Sequence, residues 1–147
     1  MTPYNVIDIA NKLLAKASSD DSDELISNLK LQKLLYYMQG FHLAYFGEPL
    51  FAEEIEAWKY GPVVPSVYNQ YKNFVNQGIK YTDAVIELEP QEEKLFNAVY
   101  KVYATYSAIG LMEMTHNETP WKSVKAESGS IIPQKTMMSF FKKRIKK

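Results

Sequence analysis

The sequence contains no cysteine, so disulfides, thiolate catalysis and cysteine-based zinc sites are excluded. No apolar stretch is long enough to span a bilayer. The N-terminus also lacks the basic region and apolar run of a signal peptide. We therefore expect a cytoplasmic protein with no membrane association.

Catalytic signatures are absent as well: phosphate-binding loops, dinucleotide-binding turns, serine-hydrolase elbows and zinc-metalloprotease helices have no counterpart in this chain. We expect no enzymatic activity, no cofactor and no metal site. One alternative stays open, because Glu113 and His116 have the spacing that puts two side chains on one helix face. An enzyme using this pair, with Lys33 or Lys59 in support, requires a pocket where the groups converge. A His116 held against backbone carbonyls would instead indicate structural bracing. His42 lies in an apolar helix and is expected to be a hydrogen-bonded core histidine.

What the sequence does contain is typical of a globular domain. Its 147 residues are 46% hydrophobic and 23% charged, which predicts a single domain over residues 1–147 with a substantial core. Charge is uneven: residues 1–121 carry 9 basic and 16 acidic residues, and 122–147 carry 8 and 1. We interpret 142–147 as a mobile basic tail that suits a helix C-terminus, and consider nucleic-acid binding the less favoured reading.

Helical spacing and capping residues predict a mainly α (α+β) fold, a compact bundle of about six helices with a small two-stranded β-ribbon. Thr2 and Pro3 predict a first helix over 3–16, and Gly47 ends a central helix that begins at Ser27 or Asn28. Further helices are expected at these places: from Pro65 up to a break at Asn76-Gln77-Gly78, from Pro90, near 108–116, from Thr119 and from Pro133.

Two short segments have the composition of strands. Residues 51–58 partly alternate, and 84–88 are rich in branched apolar residues. We expect these two segments to pair as the ribbon, which has to pack on the helices because an isolated ribbon is marginal. In the helix from Pro90, the apolar stripe predicts that five residues face the core: Leu95, Val99, Val102, Tyr103 and Tyr106.

The densest aromatic segment is 58–68, where Trp58, Lys59, Tyr60 and Tyr68 surround a Gly-Pro turn. These rings either close the core beneath the turn or form an exposed binding hot spot. Both readings stay open.

A sequence resemblance covers residues 28–122. The segment Asn28-Leu29-Lys30-Leu31-Gln32-Lys33-Leu34-Leu35-Tyr36-Tyr37, then Gln39-Gly40-Phe41-His42, is similar to the opening signature of the Panacea domain family. The similarity continues through 49–51, 54–65 and Val67-Tyr68, and resumes at Leu111, Thr115-His116 and Pro120-Trp121-Lys122. This family includes SocA-like antitoxins and GepA-like phage-associated proteins.

The resemblance implies a helical domain with a small β element that neutralises a toxin by direct protein contact. The toxin is expected to be encoded next to it, in a phage or other mobile element. A proteolytic adaptor and an enzyme using His116 and Glu113 are the alternatives, and self-association as a homodimer stays open. We take the following as candidate partner-binding residues: Trp58, Lys59, Tyr60, Tyr68, His116 and Trp121.

Overall fold

A computed structural model describes residues 3–19, 24–124 and 129–145. Within these ranges the chain forms seven α-helices and a three-stranded antiparallel sheet, which confirms the mainly helical fold class. The helices are α1 (Val6–Ser19), α2 (Asn28–Phe46), α3 (Pro65–Gln70), α4 (Pro90–Tyr103), α5 (Ala108–His116), α6 (Thr119–Lys122) and α7 (Gln134–Lys142). The strands are β1 (Glu56–Trp58), β2 (Gly61–Val63) and β3 (Ser130–Ile131). A 3-10 turn at Lys72–Phe74 follows α3.

Helix α2 is the centre of the fold, and its bounds agree with the capping residues in the sequence. The Ser27 hydroxyl accepts a hydrogen bond from the Lys30 N–H, and Gly47 ends the helix in the left-handed conformation at φ 74°. Every residue from 31 to 40 is buried, because helices α4, α5 and α7 all pack against α2. Over residues 31–40 the helix therefore has no solvent-facing side on which to place a charge.

Helix α1 begins at Val6, later than the sequence predicted. The proposed cap Thr2 lies outside the described residues, and the Asn5 side chain accepts a hydrogen bond from the Ile7 N–H at 2.9 Å. Asn5 therefore supplies the polar group that satisfies the first turn. The core stripe predicted for the helix from Pro90 is partly wrong, since Val102 is 52% exposed and Tyr106, beyond the end of α4, is 42% exposed, whereas Phe96 is buried.

The predicted pairing of 51–58 with 84–88 is wrong. Strand β1 lies in the middle of the sheet, with β2 on one side and β3 on the other. Its register aligns Trp58 with Gly61, so β1 and β2 form a tight hairpin, whereas 84–88 has no regular secondary structure. Pro62 lacks an N–H donor but is tolerated because β2 is an edge strand.

The C-terminal region is bound into the fold through a buried carboxylate. Glu118 accepts hydrogen bonds from the hydroxyls of Tyr36 at 2.9 Å and Tyr37 at 2.8 Å. Its second oxygen lies 3.0 Å from an Arg144 guanidinium nitrogen. Lys142 is the last residue of α7, and residues 146 and 147 lie outside the described ranges. Mobility of the basic tail stays a prediction.

No helix in the described part of the chain is long and apolar enough to cross a membrane.

His42 is buried, as expected. Its Nε2 lies 2.6 Å from the Glu92 carboxylate, and its Nδ1 lies 2.7 Å from the Glu48 carbonyl oxygen.

Candidate functional site

The six candidate residues, from three separate parts of the chain, converge on one corner of the molecule. Trp58 ends β1, Lys59 and Tyr60 form the hairpin turn, and Tyr68 projects from α3 so that its ring centroid lies 5.0 Å from that of Trp58. His116 ends α5, and Trp121 lies in α6. We call these six residues the aromatic corner.

The junction of α5 and α6 holds the hairpin in place. The Trp121 indole donates a hydrogen bond to the Trp58 carbonyl oxygen at 2.9 Å. The His116 ring lies with Nε2 at 3.0 Å from the Lys59 carbonyl oxygen, so Nε2–H is the donor. The two rings are themselves in contact, with centroids 4.1 Å apart. His116 and Trp121 therefore clamp the backbone of the β1–β2 turn.

This geometry favours bracing over catalysis at His116. Glu113 is exposed and forms no salt bridge with His116 within the described residues. The His116 ring instead meets a backbone carbonyl, which is the arrangement expected of a structural histidine. Among residues 3–19, 24–124 and 129–145, no group of three or more His, Asp or Glu side chains is placed to hold a metal ion.

The outer side of the corner faces solvent. Tyr60 is 56% exposed, and the Lys59 ammonium lies 5.6 Å from the centre of its ring. Trp58, Tyr68 and Trp121 are half-buried. The aromatic rings thus close the edge of the core and also leave apolar surface exposed to solvent. Partner binding at this exposed surface stays a prediction.

A cleft of about 550 Å³ opens beside the hairpin. We call it the hairpin cleft. It is lined by Trp58, Lys59, Tyr60 and Tyr68 of the aromatic corner, and by Leu29, Gln32, Lys33, Glu56, Val63, Val75 and Gly129. His116 and Trp121 are not part of its lining, so they support the corner from behind.

Lys33 is a fully buried lysine in the wall of this cleft. Its ammonium donates to the Pro62 carbonyl oxygen at 3.3 Å, and burial lowers the pKa of Lys33 from 10.5 to about 7. Gly61 makes room for it, because a Cβ there would lie 2.5 Å from Lys33 Cε. Gly61 also has φ +112°, a conformation that other residues rarely adopt.

From the sequence, Lys33 was expected to matter only as a residue that could support catalysis by His116. The signal that marks it is its position within a helix that is apolar on most sides, where a lysine has no route to solvent. Glu118 and Arg144 were missed altogether, because nothing local in the sequence links residues 26 positions apart.

Comparison with known proteins decides the family. The model of the family described as "Antitoxin SocA-like, Panacea domain" matches residues 31–122. The chain belongs to the SocA-like Panacea family. The antitoxin SocA of Caulobacter vibrioides (strain NA1000 / CB15N) is 36% identical over 135 residues, covering 83% of this chain and 71% of that protein. No solved structure matches.

The matched region of this Panacea domain contains α2 from Leu31 onward, α3 to α6 and the whole aromatic corner. Helices α1 and α7 lie outside it, although α7 packs extensively on α2.

Proposed function

We propose that this Panacea domain is an antitoxin that neutralises a protein toxin by direct contact through the aromatic corner. Family membership supports a toxin partner, since the relative from Caulobacter vibrioides is itself named an antitoxin. The observation that carries the choice of site is the convergence of Trp58, Tyr60 and Tyr68 on a braced hairpin next to an apolar cleft.

The physical properties of the corner suit a binding hot spot. Tyr and Trp bring large contact area at low cost in side-chain entropy, and they are enriched where interface energy concentrates. The clamp from His116 and Trp121 holds the turn before any partner arrives. A preorganised surface loses less conformational freedom on binding, which favours affinity. The protein is proposed to act by contact and to need no cofactor.

The first test is capture of the partner. Tagged protein is purified from cells that also express its neighbouring genes, and each captured protein is then expressed alone and together with this chain. A captured protein that stops growth alone and is harmless in the presence of this chain supports the proposal. If no neighbouring gene product is both captured and toxic, the proposal is wrong.

The second test locates the site with a matched pair of variants. Tyr60 is 56% exposed and Tyr45 is 55% exposed, so Tyr60→Ala and Tyr45→Ala remove equally exposed rings, and neither is expected to alter stability much. We expect Tyr60→Ala to weaken toxin binding roughly tenfold or more, as is typical of a hot-spot tyrosine. Tyr45→Ala, on α2 and away from the corner, is expected to bind and protect as the unaltered protein does. Equal behaviour of the two variants would move the site elsewhere.

A further inference from the structure

The hairpin cleft has the size and the walls of a binding pocket. Its volume of about 550 Å³ is in the range of pockets that enclose small ligands or anchoring side chains. Leu29, Val63 and Val75 supply aliphatic surface, and Trp58 and Tyr68 supply two rings in edge contact. An apolar occupant is favoured, because filling the cleft removes this surface from water.

Two of the polar side chains in the cleft already serve the fold. Gln32 donates to the Asn28 side chain at 2.8 Å and accepts from the Val64 N–H at 2.9 Å. The Glu56 carboxylate accepts from the Trp58 indole at 2.8 Å. Both groups are therefore engaged before any ligand binds.

Lys33 differs from these two groups. Its ammonium is hydrogen-bonded to one neutral carbonyl, and no acidic oxygen lies within 4.0 Å of it in the described part of the chain. A protonated lysine has three N–H donors, and a buried cation without a counter-ion is costly. The Lys33 side chain itself forms part of the cleft wall. Lys59 adds a second cation at the exposed rim.

A partner bound to the aromatic corner also covers this cleft, because Trp58, Lys59, Tyr60 and Tyr68 belong to both. We infer that the hairpin cleft receives an apolar segment of the toxin that carries an Asp or Glu side chain, and that Lys33 pairs with its carboxylate. This inference rests on the proposed function and specifies the chemistry of the partner. Apolar contacts with the cleft walls hold the segment in place. Its carboxylate acts as the counter-ion for the Lys33 ammonium, which has no acidic partner within the described part of the chain.

The test uses two blocked peptides as probes, acetyl-Leu-Glu-Leu-amide and acetyl-Leu-Gln-Leu-amide. They differ only in charge and are titrated into the full chain while the Trp58 indole N–H signal is followed by NMR. The chain has two tryptophans, so a Trp121→Phe variant assigns the two indole signals. We expect the acidic peptide to bind roughly fivefold or more tightly than the neutral one, as a charge-assisted hydrogen bond predicts. A third probe, acetyl-Leu-Leu with a free C-terminal carboxylate, distinguishes side-chain from chain-end recognition.

Lys33→Met identifies the group responsible, and Lys101→Met, an exposed lysine on α4, is the control. The preference for the acidic peptide is expected to disappear in Lys33→Met and to persist in Lys101→Met. Should Lys33→Met not fold, Lys33→Gln removes the same charge with a polar end. Equal binding of the two peptides, absence of any Trp58 shift, a preference that survives loss of Lys33, or tighter binding of the chain-end probe would overturn the inference.

The inference and the proposed function can fail separately. If Lys33→Met protects cells fully while Tyr60→Ala does not, the toxin binds the aromatic corner without an acidic anchor, and only the inference fails. If no toxin is found, the proposed function fails whatever the peptides show.

Discussion

Glu118 and Arg144 form a salt bridge of 3.0 Å that joins the start of α6 to the residues after α7. The Glu118 side chain is 5% exposed and that of Arg144 is 35% exposed, so the cation reaches a buried anion from the surface. Burial raises the pKa of Glu118, while the hydroxyls of Tyr37 and Tyr36 and the Arg144 guanidinium oppose that rise. Arg144 is thus part of the structure that holds α7 on α2.

We expect Arg144→Met to lower the free energy of unfolding by about 1–3 kcal/mol, because it leaves the buried Glu118 carboxylate without its cation. Urea unfolding measures the change. The neighbouring Lys143 is exposed, so Lys143→Met serves as the control and is expected to stay within about 0.5 kcal/mol of the unaltered protein. Equal effects of the two substitutions would show that the salt bridge contributes nothing.

The buried Lys33 makes stability depend on pH. The pKa of Lys33 is about 7 in the folded chain and near 10.5 in the unfolded chain. Between pH 7 and pH 10.5 the unfolded state therefore binds more protons at Lys33 than the folded state does. The contribution of Lys33 to stability therefore rises as pH increases through this window, and the full penalty is present below pH 7. Lys33→Met has no such titration and is expected to be the more stable protein at pH 7.

The stability advantage of Lys33→Met should shrink as pH rises from 7 to 9, by up to about 1.4 kcal/mol per pH unit. Urea unfolding at pH 7, 8 and 9, followed by tryptophan fluorescence, gives the two curves. A difference that stays constant with pH would mean that Lys33 is not the titrating group.

Gly61 and Gly47 both have positive φ angles, but only Gly61 is crowded. A Cβ at Gly61 would lie 2.5 Å from Lys33 Cε and 3.0 Å from Thr115 Oγ1, whereas a Cβ at Gly47 meets nothing within 4 Å. We expect Gly47→Ala to cost about 1 kcal/mol from backbone strain alone. Gly61→Ala is expected to cost about 2–4 kcal/mol, since overpacking adds to the strain. Thermal unfolding compares the two, and similar costs would contradict the close packing of Lys33 beneath the turn.

The Phe141 ring of α7 packs directly against Gly40 on α2. A Cβ there would lie 2.2 Å from two atoms of that ring, so Gly40→Ala is expected to displace α7 and cost about 1–3 kcal/mol. Amide hydrogen exchange in α7 should become faster than in α4. Combining Gly40→Ala with Phe141→Leu tests the cause, because the smaller side chain relieves the overlap and the two effects should then be less than additive. Strict additivity would show that the two residues do not compete for space.

Residue patterns alone located the helices well, because helix ends depend on groups within a few residues. Ser27 and Gly47 bound α2, and the predicted range 108–116 coincides with α5. The ordered motifs of 28–122 were also enough to indicate the family, which the match over 31–122 confirms. The same local logic located the aromatic segment at 58–68, although partner binding there stays a prediction.

Tertiary structure decided what depends on distant contacts. Alternation in 51–58 indicated a strand, but the choice of β2 and β3 over 84–88 as its neighbours was set by how the hairpin packs on α2 and α5. The same holds for Val102, whose helical spacing suits a core position although its side chain is 52% exposed in the folded chain. Lys33 is buried because helices surround α2. Glu118 contacts Arg144 because α7 packs back across α2 and α6. Periodicity reports which face of an element is apolar, whereas the identity of its neighbours follows from packing free energy summed over the whole chain.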